Sequence, residues 1–315
     1  MKANVMTKKR AAPAALPHQK PLRQRLAENW QLYLLLLIPV VLTFVYKYIP
    51  MYGIQIAFRD YTASRGMFWS EWVGLHWFER FFTAPNCARM IRNTILLSLY
   101  SLLWSFPVPI ILSLCINQLR FNRYKRIVQT VLYAPHFISI MVVCGMIRIF
   151  LSPSGGLINL LLGTSVDFLT EASAFRTIYI ASGIWQDAGW GCIIYLATLS
   201  NVDTSLYEAA KVDGASVFQR IMNVDIPALL PMAILQLIMS AGSLMNVGFE
   251  KVWLLQTDLN MATSDVIAVY VYEQGIEQAN YSYSTAVGLF NTAVNLILLF
   301  IVNKIASKTS DVDFV

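Results

Sequence analysis

The chain has 315 residues, of which 57% belong to the apolar set AVILMFWYC and 13% are charged, with a mean hydropathy of +0.53. A water-soluble chain carries about 25% charged residues. Half that complement excludes a disordered chain, argues against a cytosolic enzyme and points to a polytopic membrane protein.

The net charge of +6 does not mark a nucleic-acid binder, because the basic residues stand in short blocks between apolar runs, without interleaved aromatics. Cys87, Cys115, Cys144 and Cys192 lack paired spacing. They read as small hydrophobes, and neither a disulfide framework nor a metal site is expected from them.

Six runs are apolar over the ~20 residues that cross a bilayer core of about 30 Å. The first, at 30–48, follows a 29-residue polar tail and is therefore not read as a cleaved secretory signal. An outer segment, 50–93, carries Trp69, Trp72 and Trp77, rings that favour the headgroup level. The second span is placed at 94–116 and the third at 127–150, with Pro135 and His136 inside it; Gly155 and Gly156 then read as a turn. The fourth, 177–199, contains the run IWQDAGW, whose Gly189 and Gly191 permit close helix approach. The fifth is placed at 228–249 and the sixth at 285–305, separated by an acidic, aromatic outer segment at 250–284.

Lysine and arginine orient these spans. Fifteen of the 24 fall in the N-terminal tail, the turn after span two, the loop after span four and the C-terminal end. Both termini are expected inside the cell.

The loop between spans four and five, 201–231, reads as two short helices. Ser205 with Glu208 forms the pattern of a capping box, and Gly214 supplies the stop. Ser216 with Gln219 forms a second box, and Pro227 is expected to close that helix. Ala209 and Ala210 leave almost no side-chain volume beside the carboxylate of Glu208, so another protein can approach the backbone closely. Asp203, Glu208, Asp213 and Asp225 against Lys211 and Arg220 make an acidic loop that an anionic leaflet repels. A docking element fits that composition better than a lipid-lying helix, which prefers Lys and Arg on its polar face.

These residues carry a resemblance. E-A-A-K-V-D-G-A at 208–215, followed by I-P-A-L-L-P at 226–231, resembles the EAA loop of the membrane subunits of binding-protein-dependent ABC importers. The likeness extends over roughly 91–305 and narrows to the carbohydrate-uptake permeases of the maltose type. Within these the chain looks like the oligosaccharide branch, through Tyr195–Leu196–Ala197 and Leu206–Tyr207–Glu208. The large extra domain that the maltose permease of enteric bacteria carries between early spans has no counterpart here.

The resemblance implies an all-α polytopic protein with six transmembrane helices and the type I ABC importer permease fold. It divides the chain into a cytoplasmic tail (1–29), a first span with its outer loop (30–90), the transmembrane domain (91–305) with its loop at 201–231, and a second cytoplasmic tail (306–315). It places the protein in a bacterial cytoplasmic membrane. The implied partners are a second homologous permease chain, two ATP-binding subunits, an extracytoplasmic solute-binding protein and a sugar or oligosaccharide. No catalytic residue is expected, and no cofactor is expected on this chain. ATP and Mg belong to the partner subunits, because the chain has no G-x-x-x-x-G-K-[ST] phosphate loop.

By the same resemblance, Glu208–Gly214 is the coupling helix: Glu208 pairs with a basic side chain of an ATPase subunit, Ala209 and Ala210 give close contact, and Gly214 permits the turn. Asp213 either shares in this contact or acts locally, capping the second helix or pairing with Arg220. Asn246, Gly248 and Phe249, in SLMNVGF, align in position with a substrate-contacting stretch of maltose-type permeases. Trp185, Asp187 and Trp190 are candidates on chemistry alone, since aromatic faces and carboxylates suit sugar rings and hydroxyls, with helix packing as the competing role. The alternative reading, an ion-gradient-driven secondary transporter, needs several charged groups near the midplane, and only Asp187 qualifies.

The orientation is open to a direct check. Cysteines placed near either terminus are expected to react with a membrane-impermeant maleimide only after the membrane is opened; reaction in intact cells at either end contradicts this topology.

Overall fold

The computed structural model describes residue 24 and residues 28–309, with side chains through Ile305. The expected terminal tails, 1–29 and 306–315, lie largely outside the described residues. The described chain divides into two compact units, Met1–Ile54 and Gln55–Val315.

In the first unit, α1 (Trp30–Thr43) is the apolar run expected there, continued by a wide π turn at Phe44–Tyr48. Pro39 lies inside α1 and withholds one backbone donor. None of the residues of α1 is buried, as suits a helix whose solvent is lipid.

In the second unit, a two-stranded antiparallel ribbon pairs β1 (Arg59–Asp60) with β2 (Glu71–Trp72). It is followed by α2 (His76–Thr83), α3 (Cys87–Ser105) and α4 (Pro107–Asn117). Helices α3 and α4 together make the second span, jointed where Pro107 begins α4. Of the outer tryptophans, Trp69 and Trp72 are exposed as an interfacial role requires. Trp77 instead packs beside Phe81 and Tyr283 and donates its Nε1–H to the Arg59 carbonyl at 3.0 Å.

The third span is not the continuous helix expected at 127–150. It consists of α5 (Asn122–Tyr133) and α6 (Ile140–Phe150), which meet at 96°. Pro135 has no N–H to donate and its ring obstructs a continuing helix, so Ala134–Phe137 tightens into a 3₁₀ turn. Ser139 then restarts the helix, its hydroxyl accepting from the Val142 N–H at 3.4 Å. The Ile138 carbonyl orphaned at the break accepts from Gln186 Nε2 of the next span at 2.9 Å.

Helix α7 (Ala172–Ser200) has 29 residues and lies against α4 and α5. Gly189 and Gly191 are the contact points, as expected. A Cβ on Gly189 would stand 1.9 Å from the Leu132 carbonyl oxygen, and one on Gly191 would stand 3.0 Å from the Pro109 ring. After the loop come α8 (Thr204–Val212), α9 (Val217–Arg220), α10 (Ile226–Ala241), α11 (Phe249–Leu255), α12 (Ile267–Tyr272) and α13 (Tyr281–Thr309). The fifth span is displaced from 228–249: its helix is continuous from Val217 to Ala241, and 242–248 leave it as a turn.

Among the described residues four helices are long and apolar enough to cross a membrane, and the bent pair makes a fifth. Helix α7, about 43 Å long at 1.5 Å per residue, falls below that apolarity, with Ser182, Gln186 and Asp187 along it. Three buried clusters join the helices. One gathers Phe81, Met90, Met245 and Tyr283; a second gathers Leu97, Cys144, Phe175 and Val252; the third, at the loop end, gathers Leu114, Tyr195, Leu199 and Leu229.

Substituting Gly189 by Val drives a side chain into a backbone carbonyl and is expected to cost about 1–3 kcal/mol, read as a lower unfolding midpoint in detergent. Gly183→Ala, whose Cβ would meet only the tip of Lys251 at 3.3 Å, should change the midpoint little; equal effects would contradict the packing described.

Candidate coupling loop and translocation cavity

The loop after α7 is built from local signals. Asp203, not Ser205, caps α8: its Oδ1 accepts the Ser205 N–H at 2.9 Å, a bond that holds the Asp203 carboxyl below its ordinary pKa. The expected Ser205–Glu208 box therefore does not form, because an equally strong capping side chain lies two residues earlier. At the other end, Ala215 N–H bonds to the Ala210 carbonyl and Gly214 N–H to that of Lys211, with Gly214 at φ +73°. This is a Schellman closure in the left-handed conformation that glycine adopts without strain.

The Ser216–Gln219 box forms as expected, with Gln219 N–H on Ser216 Oγ at 3.3 Å and Ser216 N–H on Gln219 Oε1 at 2.7 Å. It is Ser216, then, and not Asp213, that caps the second helix. Among the described residues no ion pair joins Asp213 to Arg220. Pro227 does not close the helix. A π turn at Ile221–Asp225 carries α9 into α10, so the missing N–H of Pro227 falls in the first turn of α10, where it costs little.

Glu208, Ala209, Asp213 and Gly214 are exposed and Ala210 is half-buried. Val212 is 88% exposed and Phe218 70%. The loop thus presents an apolar, small-residue surface beside the carboxylates of Glu208 and Asp213.

Asp225 is a residue that sequence reasoning missed, having counted it only among the loop's acids. It is fully buried. Its Oδ1 accepts the Tyr207 hydroxyl and, at 3.4 Å, Asn117 Nδ2; its Oδ2 accepts Gln118 Nε2 at 2.8 Å. Burial, then the bond to Asp225, pushes the Tyr207 phenol up to about 12, so at neutral pH the O–H is present to donate. The available signal was an acid flanked by Val224 and Ile226 in an apolar-periodic stretch.

Deeper in the bundle, two adjoining cavities of about 310 and 830 Å³ share Ser101, Ser105, Tyr179 and Gly248 in their walls. The smaller adds Ser98, Gln236, Ser240 and Asn246; the larger adds His136, Gln186, Asp187, Phe249, Glu250 and Lys251. Of the expected path residues, Asn246, Gly248, Phe249 and Asp187 therefore line the cavities. Trp185 and Trp190 do not: Trp190 stacks on His136 at 4.5 Å and 7°, and His136 Nδ1 lies 2.9 Å from Asp187 Oδ1.

Asn246 Oδ1 accepts from Asn295 Nδ2 at 3.1 Å and Asn291 Nδ2 at 3.3 Å, which ties the turn at 242–248 to α13. Lys251, buried, donates to the Tyr179 carbonyl at 2.8 Å and lies over that ring. The serines at 98, 101 and 105 recur at helical spacing on α3, a signal present in the sequence. Lys251 and Tyr179 carried no such local sign. Among the described residues no group of His, Cys, Asp or Glu is placed to hold a metal ion.

Residues 81–311 match the family described as binding-protein-dependent transport system inner membrane component. The chain belongs to that family. Protein LplB of Bacillus subtilis strain 168 is 43% identical over 285 residues, covering 89% of each chain. The polygalacturonan/rhamnogalacturonan transport system permease protein YteP of the same strain is 41% identical over 294 residues, covering 92% of each. Among solved structures, a chain of the bacterial alginate ABC transporter in complex with an alginate pentasaccharide-bound periplasmic protein superposes with a TM-score of 0.84 at 37% identity, over 93% of this chain and 99% of that one. The protein is thus a membrane-spanning permease subunit of a binding-protein-dependent ABC importer, with ATP hydrolysis in separate subunits. Membership sets aside a gradient-driven carrier.

Proposed function

We propose that this chain forms half of the pathway by which an oligosaccharide, delivered by an extracytoplasmic binding protein, enters a bacterial cell, and that Glu208–Gly214 couples it to an ATPase subunit. The observation that carries the coupling role is the closed two-helix loop, with Glu208 and Ala209 exposed beside Val212 and the turn locked at Gly214. A rigid exposed helix can be held by a cleft and moved as a lever; a loop without fixed ends cannot. Glu208 supplies one charge for a basic partner side chain. The distribution of Lys and Arg supports a cytoplasmic position for this loop and for both termini.

The cavity chemistry supports an oligosaccharide as cargo. Hydroxyls of Ser101, Ser105 and Ser240, the amides of Gln236 and Asn246 and the ring of Phe249 offer bonds to sugar hydroxyls and a face for a sugar ring. The hydroxyl of Ser98 lines the smaller cavity without a hydrogen-bond partner among the described residues. Relatives named for polygalacturonan, rhamnogalacturonan and alginate transport support the same class. ATP and Mg act on the partner subunits in this reading.

Glu208→Lys reverses the docking charge. Gly214→Asp imposes about 1–2 kcal/mol at φ +73° and loosens the turn. Both variants are expected to abolish ATP-driven oligosaccharide uptake while reaching the membrane in normal amount; normal uptake by both refutes the coupling assignment.

A further inference from the structure

Helix α8 is held to the rest of the protein by little. Among the described residues no other element packs broadly against it. It is flanked by two points where backbone direction changes, the 201–203 turn and Gly214. Its side-chain link to other elements runs through the Tyr207 hydroxyl, which donates to Asp225 and stands within hydrogen-bonding reach of Asn117 at the end of α4. A push on a helix mounted in this way would be spent on rotation about its two flanking turns unless something braced it.

Asp225 is placed to be that brace. It is the last residue of the π turn that leads into α10, and its carboxylate also takes bonds from Asn117 and Gln118 at the loop-side end of α4. One buried group thereby joins the coupling helix, the second span and the fifth. A carboxylate removed from water is tolerated only when several donors surround it, and losing a donor is costly. Arg220 reaches the same neighbourhood, lining a cavity of about 340 Å³ with Tyr207, Gln118 and Lys211.

We propose that Asp225 is a positioning residue that makes α8 and the inner ends of spans two and five move as one body when the ATPase subunits close. The inference rests on the coupling role argued above and adds the internal linkage that transmits it.

The test uses the complete importer in proteoliposomes, with Cys115, the exposed cysteine among the described residues, changed to Ser. A cysteine replaces Ser101 in the cavity wall. Maleimide labelling of that cysteine is compared without nucleotide and with ATP and vanadate, alongside the rate of ATP hydrolysis. The native chain should show a labelling rate that differs clearly between the nucleotide-free and the ATP–vanadate states. Asp225→Ala and Tyr207→Phe should still hydrolyse ATP while the labelling change shrinks below about twofold. Asp225→Asn should recover more than half of it, because Gln118 can turn its amide and restore the bond.

The proposal is overturned if Tyr207→Phe and Asp225→Ala respond to ATP as the native chain does. It is equally overturned if labelling response and hydrolysis fall in the same proportion, as loss of a simple fold contact would produce. Where Asp225→Ala does not assemble, Tyr207→Phe alone decides. Absence of any ATP response in the native chain would instead count against the coupling reading itself.

Discussion

Inside a bilayer a backbone polar group that leaves its helix finds no water, so every interruption of a span must bring its own partner. This chain interrupts its spans repeatedly, and at two of the breaks a side chain from elsewhere meets the freed backbone group. Gln186 reaches the Ile138 carbonyl where span three turns through 96°. Asn295 receives the Met245 N–H at 2.8 Å, and Tyr179 the Gly248 N–H at 3.2 Å, where span five gives way to a turn. Where the π turn leads into α10, the buried Asp225 carboxylate likewise takes its three donors from other elements.

The same constraint shapes the two surfaces to which function is proposed above. Polar side chains recruited to satisfy the breaks also line space: Tyr179, Gln186 and Asn246 stand in the cavity walls. Breaking the helices opens room at mid-bundle, and satisfying the breaks makes that room polar. At the loop end, water is available and the helices close by local caps, which leaves α8 standing clear of the bundle for a partner. Asp225 ties α8 to the loop-side ends of spans two and five.

What could be read from the sequence follows from the range of each interaction. The first apolar run, the stop at Gly214 and the Ser216–Gln219 box depend on neighbours within a few residues, and they stand where expected. The cap of α8 was misplaced only because Asp203 and Ser205 both qualify. The bend in span three was foreshadowed by Pro135 alone, since the partner that stabilises it lies 48 residues away at Gln186. The early end of span five depends on Asn295, 50 residues on. Asp225 looked like a solvent-facing acid because Tyr207 and Gln118, which bury and bind it, are 18 and 107 residues distant. Trp190 was a candidate for sugar contact by type, and its ring is already covered on one face by His136.

The central claim is that the coupling helix and the fifth span form one rigid piece. Spin labels at Val212 and Leu230, both exposed, allow their separation to be measured in the complete importer. The account predicts the same distance distribution in the nucleotide-free and vanadate-trapped states; a distribution that shifts when nucleotide is trapped would contradict it.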